Sequence, residues 1–167
     1  MANNLHRINK DKYYFDEKSA KRACDFIQTF CKHTKGELAG QPFVLETWQI
    51  EIIEAIFGWK SKKTNLRKFR QCFIFIPRKN GKTTMMVGIA LYMLFSDGEK
   101  GAEIVSAAAD KEQARLSFSI AKQMVLQDPN LSKRANTYRD SITYDKVGSY
   151  YKVISADADT KHGLNLS

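Results

Sequence analysis

Residues 77–84 read Pro-Arg-Lys-Asn-Gly-Lys-Thr-Thr and hold the densest chemistry in the chain. A glycine, a lysine and two hydroxyls in succession are what a polyphosphate site needs. Gly81 lets the backbone curl where a Cβ would intrude. Lys82 supplies a mobile positive charge for terminal phosphates, and the Thr83 hydroxyl suits Mg2+. Thr84 is placed either to contact a phosphate or to cap the helix. Gly-Lys-Thr alone is weak, so its context decides. Here the apolar run Cys72-Phe73-Ile74-Phe75-Ile76 precedes it, and a long apolar-rich segment, 82–95, follows. A strand that runs through a turn into a helix aims free N–H groups and the positive helix end at one point. Such a point selects an anion.

The loop is not of the common kind. A standard phosphate loop carries a glycine where this chain has Ile76. Pro77 fixes φ and donates no N–H, so the loop must start differently. Arg78 and Lys79 add two charges. Arg78 is placed either to stabilise γ-phosphate charge or to serve as an ordinary surface cation.

The elements that must position these residues follow from periodicity. Ala20, Cys24, Ile27 and Cys31 recur at helical spacing and predict a helix over about 17–33. A second helix is expected over 46–59, with Trp48, Ile52, Ala55 and Ile56 as its apolar stripe. The run 72–76 reads as a strand buried on both faces, and 102–108 as another. Ala114, Phe118, Ala121 and Val125 predict a helix that begins at Asp110 and is stopped by Pro129. The segment from Asp140 onward alternates around Gly148-Ser149 and reads as a hairpin. Strands alternating with helices predict an α/β fold with a largely parallel sheet flanked by helices and preceded by a helical segment.

Bulk properties narrow the function. The chain has 167 residues and a net charge of +9, an excess that favours a polyanionic partner. Six basic residues within 60–70 are candidates for DNA or subunit contact. Apolar runs fall short of a membrane span and the N-terminus has no apolar leader, so an intracellular protein is expected. Cys24, Cys31 and Cys72 form no CxxC pair, and with His33 they lack a metal-ligand spacing; they read as buried or partly buried thiols.

Four segments in order, "PFVLETWQ" (42–49), "PRKNGKTT" (77–84), "SAAADKEQA" (106–114) and "SADADTKHGLNLS" (155–167), resemble the ATPase domain of phage terminase large subunits. These are motors that package double-stranded DNA into a preformed capsid. In that family Pro or Ser followed by Arg replaces the usual glycine pattern, as Pro77-Arg78 does here. The resemblance implies a P-loop NTPase-type fold, with ATP and Mg2+ as cofactors. It implies Lys82 and Arg78 as catalytic residues, Arg78 touching the terminal phosphate, and Thr83 as metal ligand. Pro77, Lys79, Asn80, Gly81 and Thr84 would complete the phosphate loop, and Gln49 would read the adenine edge. Trp48 is expected in the core. Gln113 and Arg115 face nucleotide, DNA or solvent, and His162 lies in a loop before Gly163.

The resemblance also implies a division into an arm and helix, 1–40, and a partial ATPase domain, 41–167. Its Walker B aspartate and catalytic glutamate are expected after Ser167, since Asp157 and Asp159 do not end an apolar strand. A C-terminal nuclease domain is expected there too, so this piece alone should hydrolyse ATP poorly. Implied partners are double-stranded DNA, a small terminase subunit, a portal protein and further copies in a ring, in the cytoplasm of the infected bacterial host. Two other readings remain: another P-loop NTPase such as a helicase-like translocase, and a non-catalytic module that binds DNA or a partner.

Overall fold

The computed structural model describes residues 8–108 and 111–155. It comprises five α-helices and six strands among those residues. Strand β1 (Tyr13–Phe15) leads into α1 (Glu17–Phe30), whose N-terminus is capped by Asp16: the carboxylate accepts from the Ser19 amide at 3.0 Å. The helix buries Ala20, Cys24 and Ile27, as their spacing predicts, and Cys31 is buried at its C-cap.

Helix α2 (Thr47–Gly58) packs on α1, but through a different stripe from the expected one. Gln49, Ile53 and Phe57 face inward, while Trp48 and Ile56 pack against the core partly buried. The helix is apolar nearly all round, so composition did not single out its inner face. Strand β2 (Trp59–Ser61) follows directly and pairs antiparallel with β1, Phe15 opposite Trp59 and Tyr13 opposite Ser61. The arm and the basic connection are thus one ribbon. Neither was expected to be a strand.

Helix α3 (Lys82–Phe95) is the central helix, with Val87, Gly88, Ile89, Ala90, Leu91, Tyr92 and Leu94 all buried. Six consecutive buried residues, Val87 to Tyr92, put most of its circumference in the core, which explains the apolar sequence past the first turn. Tyr92 takes edge-on contacts from Phe57 at 4.8 Å and Phe26 at 5.7 Å, which joins α1, α2 and α3. Its hydroxyl accepts from Arg22 Nε at 3.4 Å.

Beyond α3 lies a four-stranded sheet in the order β3-β6-β5-β4. Its strands are β3 (Glu103–Ala108), β4 (Asn136–Thr137), β5 (Ser141–Tyr144) and β6 (Ser149–Ser155). Helix α4 (Lys111–Gln127) lies between β3 and β4 in the chain and buries Ala114, Phe118, Ala121 and Val125 as expected. Asp128 caps the single-turn α5 (Pro129–Ser132), so Pro129 both ends one helix and starts the next. Asp110, the expected cap of α4, lies outside the described residues.

Two expectations fail here. The sheet is mixed: β3 and β6 run parallel, while β5 pairs antiparallel with both β6 and β4. A helical crossover lets β3 and β6 run parallel, whereas the short turns around β5 force antiparallel neighbours. Among the described residues the fold is α/β, but its four-stranded sheet is not largely parallel. Second, residues 72–76 form no strand. They carry no regular element; Ile74 packs against the core, and Phe73 and Phe75 point outward at 91% and 83% exposure. Cys72 is exposed as well. An apolar run becomes a buried strand only when neighbouring strands hydrogen-bond to it, and no such neighbour exists among the described residues.

Candidate functional site

The loop between residue 76 and α3 is built by two left-handed residues. Lys79 has φ 69° and Gly81 has φ 68°. For lysine that conformation costs roughly 1 kcal/mol, a strain typical of binding loops. The Asn80 side-chain amide donates to the Pro77 carbonyl at 3.2 Å and ties the loop across itself. Gly81 is the N-cap of α3 and has no side chain to satisfy the first-turn amides. Those N–H groups and the positive helix end are left facing outward.

Side chains around this point are cationic and accessible. Arg78, Lys79, Lys82 and Thr83 are exposed, and Thr84 is half-buried. None of the three cations makes an ion pair among the described residues. Met85, one turn in, is fully buried and anchors the helix beneath the loop.

Gln49 sits behind this loop rather than open to it. It is only 2% exposed. Its Oε1 accepts from the Glu46 amide at 2.9 Å at the start of α2. Its Nε2 lies so near Gly81 that an added Cβ there would stand 3.3 Å away. Phe43 lines the same side, 3.8 Å from that Cβ position, with His33 edge-on to it at 5.3 Å. The Phe43 amide donates to the Cys31 carbonyl at 2.9 Å, and the His33 amide to the Gln41 carbonyl at 2.9 Å. A strap of 31–33 and 40–43 therefore presses Phe43 and Gln49 against the turn. Phe43 was not singled out in the sequence and His33 was weighed only as a metal ligand, because nothing local marks a residue that packs against a loop nearly forty positions away.

Gly81 thus has two reasons to be glycine, its positive φ and its close neighbours. The arrangement offers backbone donors, three mobile cations and a hydroxyl at one surface point. ATP phosphates fit that set, and Thr83 fits as one oxygen ligand of Mg2+ alongside phosphate and water oxygens. No group of three or more His, Cys, Asp or Glu gathers as an all-protein metal site among the described residues. Gln113 and Arg115 are exposed on α4. Asp157, Asp159, His162 and Gly163 lie outside the described residues.

The chain thus combines a mixed α/β fold with a glycine turn that opens a mostly buried helix and exposed cations around that helix start. Residues 47–167 match the family model described as terminase large subunit, ATPase domain, and the chain belongs to that family. It is 31% identical over 147 residues to the terminase large subunit of Enterobacteria phage HK97. That alignment covers 86% of this chain and 28% of the relative. The crystal structure of the HK97 bacteriophage large terminase superposes with a TM-score of 0.73 at 28% identity, covering 88% of this chain and 29% of that one. The chain therefore spans under a third of the length of the relatives it matches.

Proposed function

We propose that this chain is the ATP-binding part of a large terminase subunit that powers packaging of double-stranded phage DNA. One observation carries the reading: the uncapped start of α3, shaped by Lys79 and Gly81 in left-handed conformations and ringed by Arg78, Lys79 and Lys82. Residues 41–167 form the partial ATPase unit, with 1–40 as an arm and helix beside it.

Within the site, Pro77 and Asn80 shape the loop, and Gly81, Lys82, Thr83 and Thr84 present their amides to phosphate oxygens. Lys82 neutralises the β- and γ-phosphates, and Arg78 meets the charge that grows on the γ-phosphate during transfer. Thr83 holds Mg2+. The bound Mg2+·ATP supplies the phosphoryl group whose transfer drives movement. The resemblance assigns the adenine edge to Gln49. With Oε1 held by the Glu46 amide and the side chain 2% exposed, a base would meet only Nε2, and only once the strap of 31–33 and 40–43 moves off it. In the whole protein the partners are DNA, a small subunit, a portal and further copies of the chain, with the work done in the cytoplasm of the infected host. Among the described residues no helix is long and apolar enough to cross a membrane.

Titration with a fluorescent ATP analogue in Mg2+ tests the reading. The wild-type chain is expected to bind, and Lys82→Ala to weaken binding at least about tenfold, the loss of one charge-assisted contact. If no analogue binds, or if Lys82→Ala changes nothing, the nucleotide site is elsewhere or absent.

A further inference from the structure

The β1–β2 ribbon brings together cations that are far apart in the chain. The Lys62 amide donates to the Lys12 carbonyl at 3.0 Å, one residue beyond the Tyr13–Ser61 pair, so Lys12 and Lys62 stand opposite each other. Lys10 and Lys63 flank them. All four are exposed and make no ion pair among the described residues.

Their neighbours are treated differently. Lys60 Nζ binds the Asp16 carboxylate at 2.8 Å, and Arg67 binds Asp97 at 3.0 Å. Lys68 lies 5.0 Å over the Tyr13 ring and 4.5 Å over the Phe69 ring. Like charges side by side in a ladder cost stability. The fold pairs Lys60 and Arg67 with carboxylates, seats Lys68 on aromatic faces and leaves the outer cations bare.

The charged face continues onto α1. Lys60 Nζ also donates to Ser19 Oγ at 2.7 Å, which sets ribbon and helix side by side. Next to it, Lys18, Lys21 and Arg22 line an open cleft of about 400 Å3 over Phe26 and Phe30, with Ser96 opposite. Asp11, Glu17 and Asp25 adjoin these residues in the chain, and Asp16 and Asp97 are already paired with Lys60 and Arg67, so the carboxylates are too few to balance the face.

This face is distant from the phosphate loop. The Arg67–Asp97 pair fixes the ribbon just past the C-terminal end of α3, whereas Gly81 and Lys82 stand at its N-terminal end. A helix of that length separates the two by about 20 Å.

We propose that this end of the molecule, Lys10, Lys12, Lys62 and Lys63 with the Lys18–Arg22 turn of α1, binds the sugar–phosphate backbone of duplex DNA. Flexible lysines dominate, and they follow a regular row of phosphates without demanding fixed geometry. Arg22 is turned toward the Tyr92 hydroxyl and Arg67 is held by Asp97, so mobile lysine charges carry the attraction to phosphate. The packaging reading gives the proposal its setting, but its chemistry is independent of the nucleotide site.

The test is anisotropy of a fluorescein-labelled duplex of about 30 base pairs titrated with the full chain across salt concentrations. Lys12→Gln/Lys62→Gln/Lys63→Gln is expected to weaken binding about tenfold or more at low salt and to lower the salt slope by about 2–3. Lys18→Gln/Lys21→Gln gives a second, independent loss. A charge-matched control on another face, Lys133→Gln/Arg134→Gln/Lys146→Gln, should stay within about twofold. Equal loss in ribbon and control triples, or no loss in the ribbon triple, overturns the proposal. So does polyglutamate that binds as tightly as the duplex and depends on the same lysines, which assigns the face to an acidic protein segment. Lys82→Ala should leave DNA binding intact. Failure of nucleotide binding with DNA binding preserved defeats the ATP reading alone.

Discussion

Burial pushes the Cys31 thiol up to about 12, with Asp128 adding to the effect. The Cys24 thiol is pushed up to about 11 by burial and by the nearby Glu54 and Asp25 carboxylates. Both are held in the protonated, unreactive form; burial also pushes the Cys72 thiol up, but Cys72 alone of the three is exposed to reagent, on the segment before the loop. A disulfide-exchange reagent at pH 8 is therefore expected to titrate one fast thiol in the native chain and all three in denaturant. Cys72→Ser should abolish the fast phase; a persisting fast phase would show that Cys24 or Cys31 opens readily. At this scale the sequence was informative about Gly81, Lys82 and Thr83, because turn chemistry is carried by adjacent residues. It was silent on Gln49 Nε2 and Phe43 touching Gly81, because that contact is made by distant segments.

At the scale of the element, α1 depends on the cap residue just before it, Asp16. Hydrogen bonding to Lys60, and then to the Ser19 amide and hydroxyl, holds the Asp16 carboxyl well below the usual carboxylate range. A lowered folded pKa stabilises the fold fully above the unfolded Asp value of about 3.9, and the contribution drains away as pH falls below it. Asp16→Ala is expected to cost about 1–2 kcal/mol in urea unfolding at pH 7. The gap to wild type should narrow at pH 3. A gap that widens in acid would mean the carboxylate is not what stabilises the cap. Helices α1, α3 and α4 were legible because their apolar spacing or length was unmistakable. Segment 72–76 was misread because an apolar run states what it prefers to bury, not which strand will come to pair with it.

At the scale of the molecule, the helical layer rests on a close approach of α1 to α3. A Cβ at Gly88 would stand 3.1 Å from Ile27 Cγ2. Both residues are buried and the neighbours are packed, so the contact cannot open cheaply. Gly88→Val is expected to destabilise the chain by about 1–3 kcal/mol, and Ile27→Ala in that background to recover part of the loss. Strict additivity of the two losses would show that the helices do not meet there. Together with the Arg67–Asp97 pair, this packing fixes the basic end and the phosphate-loop end at opposite termini of one helix.

By itself the sequence determined the helical faces of α1 and α4, the glycine turn before α3 and the β5–β6 hairpin. It also carried the four ordered segments that resemble terminases. All of these rest on spacing within a few turns of chain, where periodicity and φ preferences act directly. Tertiary structure alone decided the mixed sheet, the outward Phe73 and Phe75, the pairing of the N-terminal arm with residues 59–61, and which cations are neutralised. Those outcomes depend on which distant segments meet, and a hydrogen-bond partner or counter-ion far along the chain leaves no mark on local spacing.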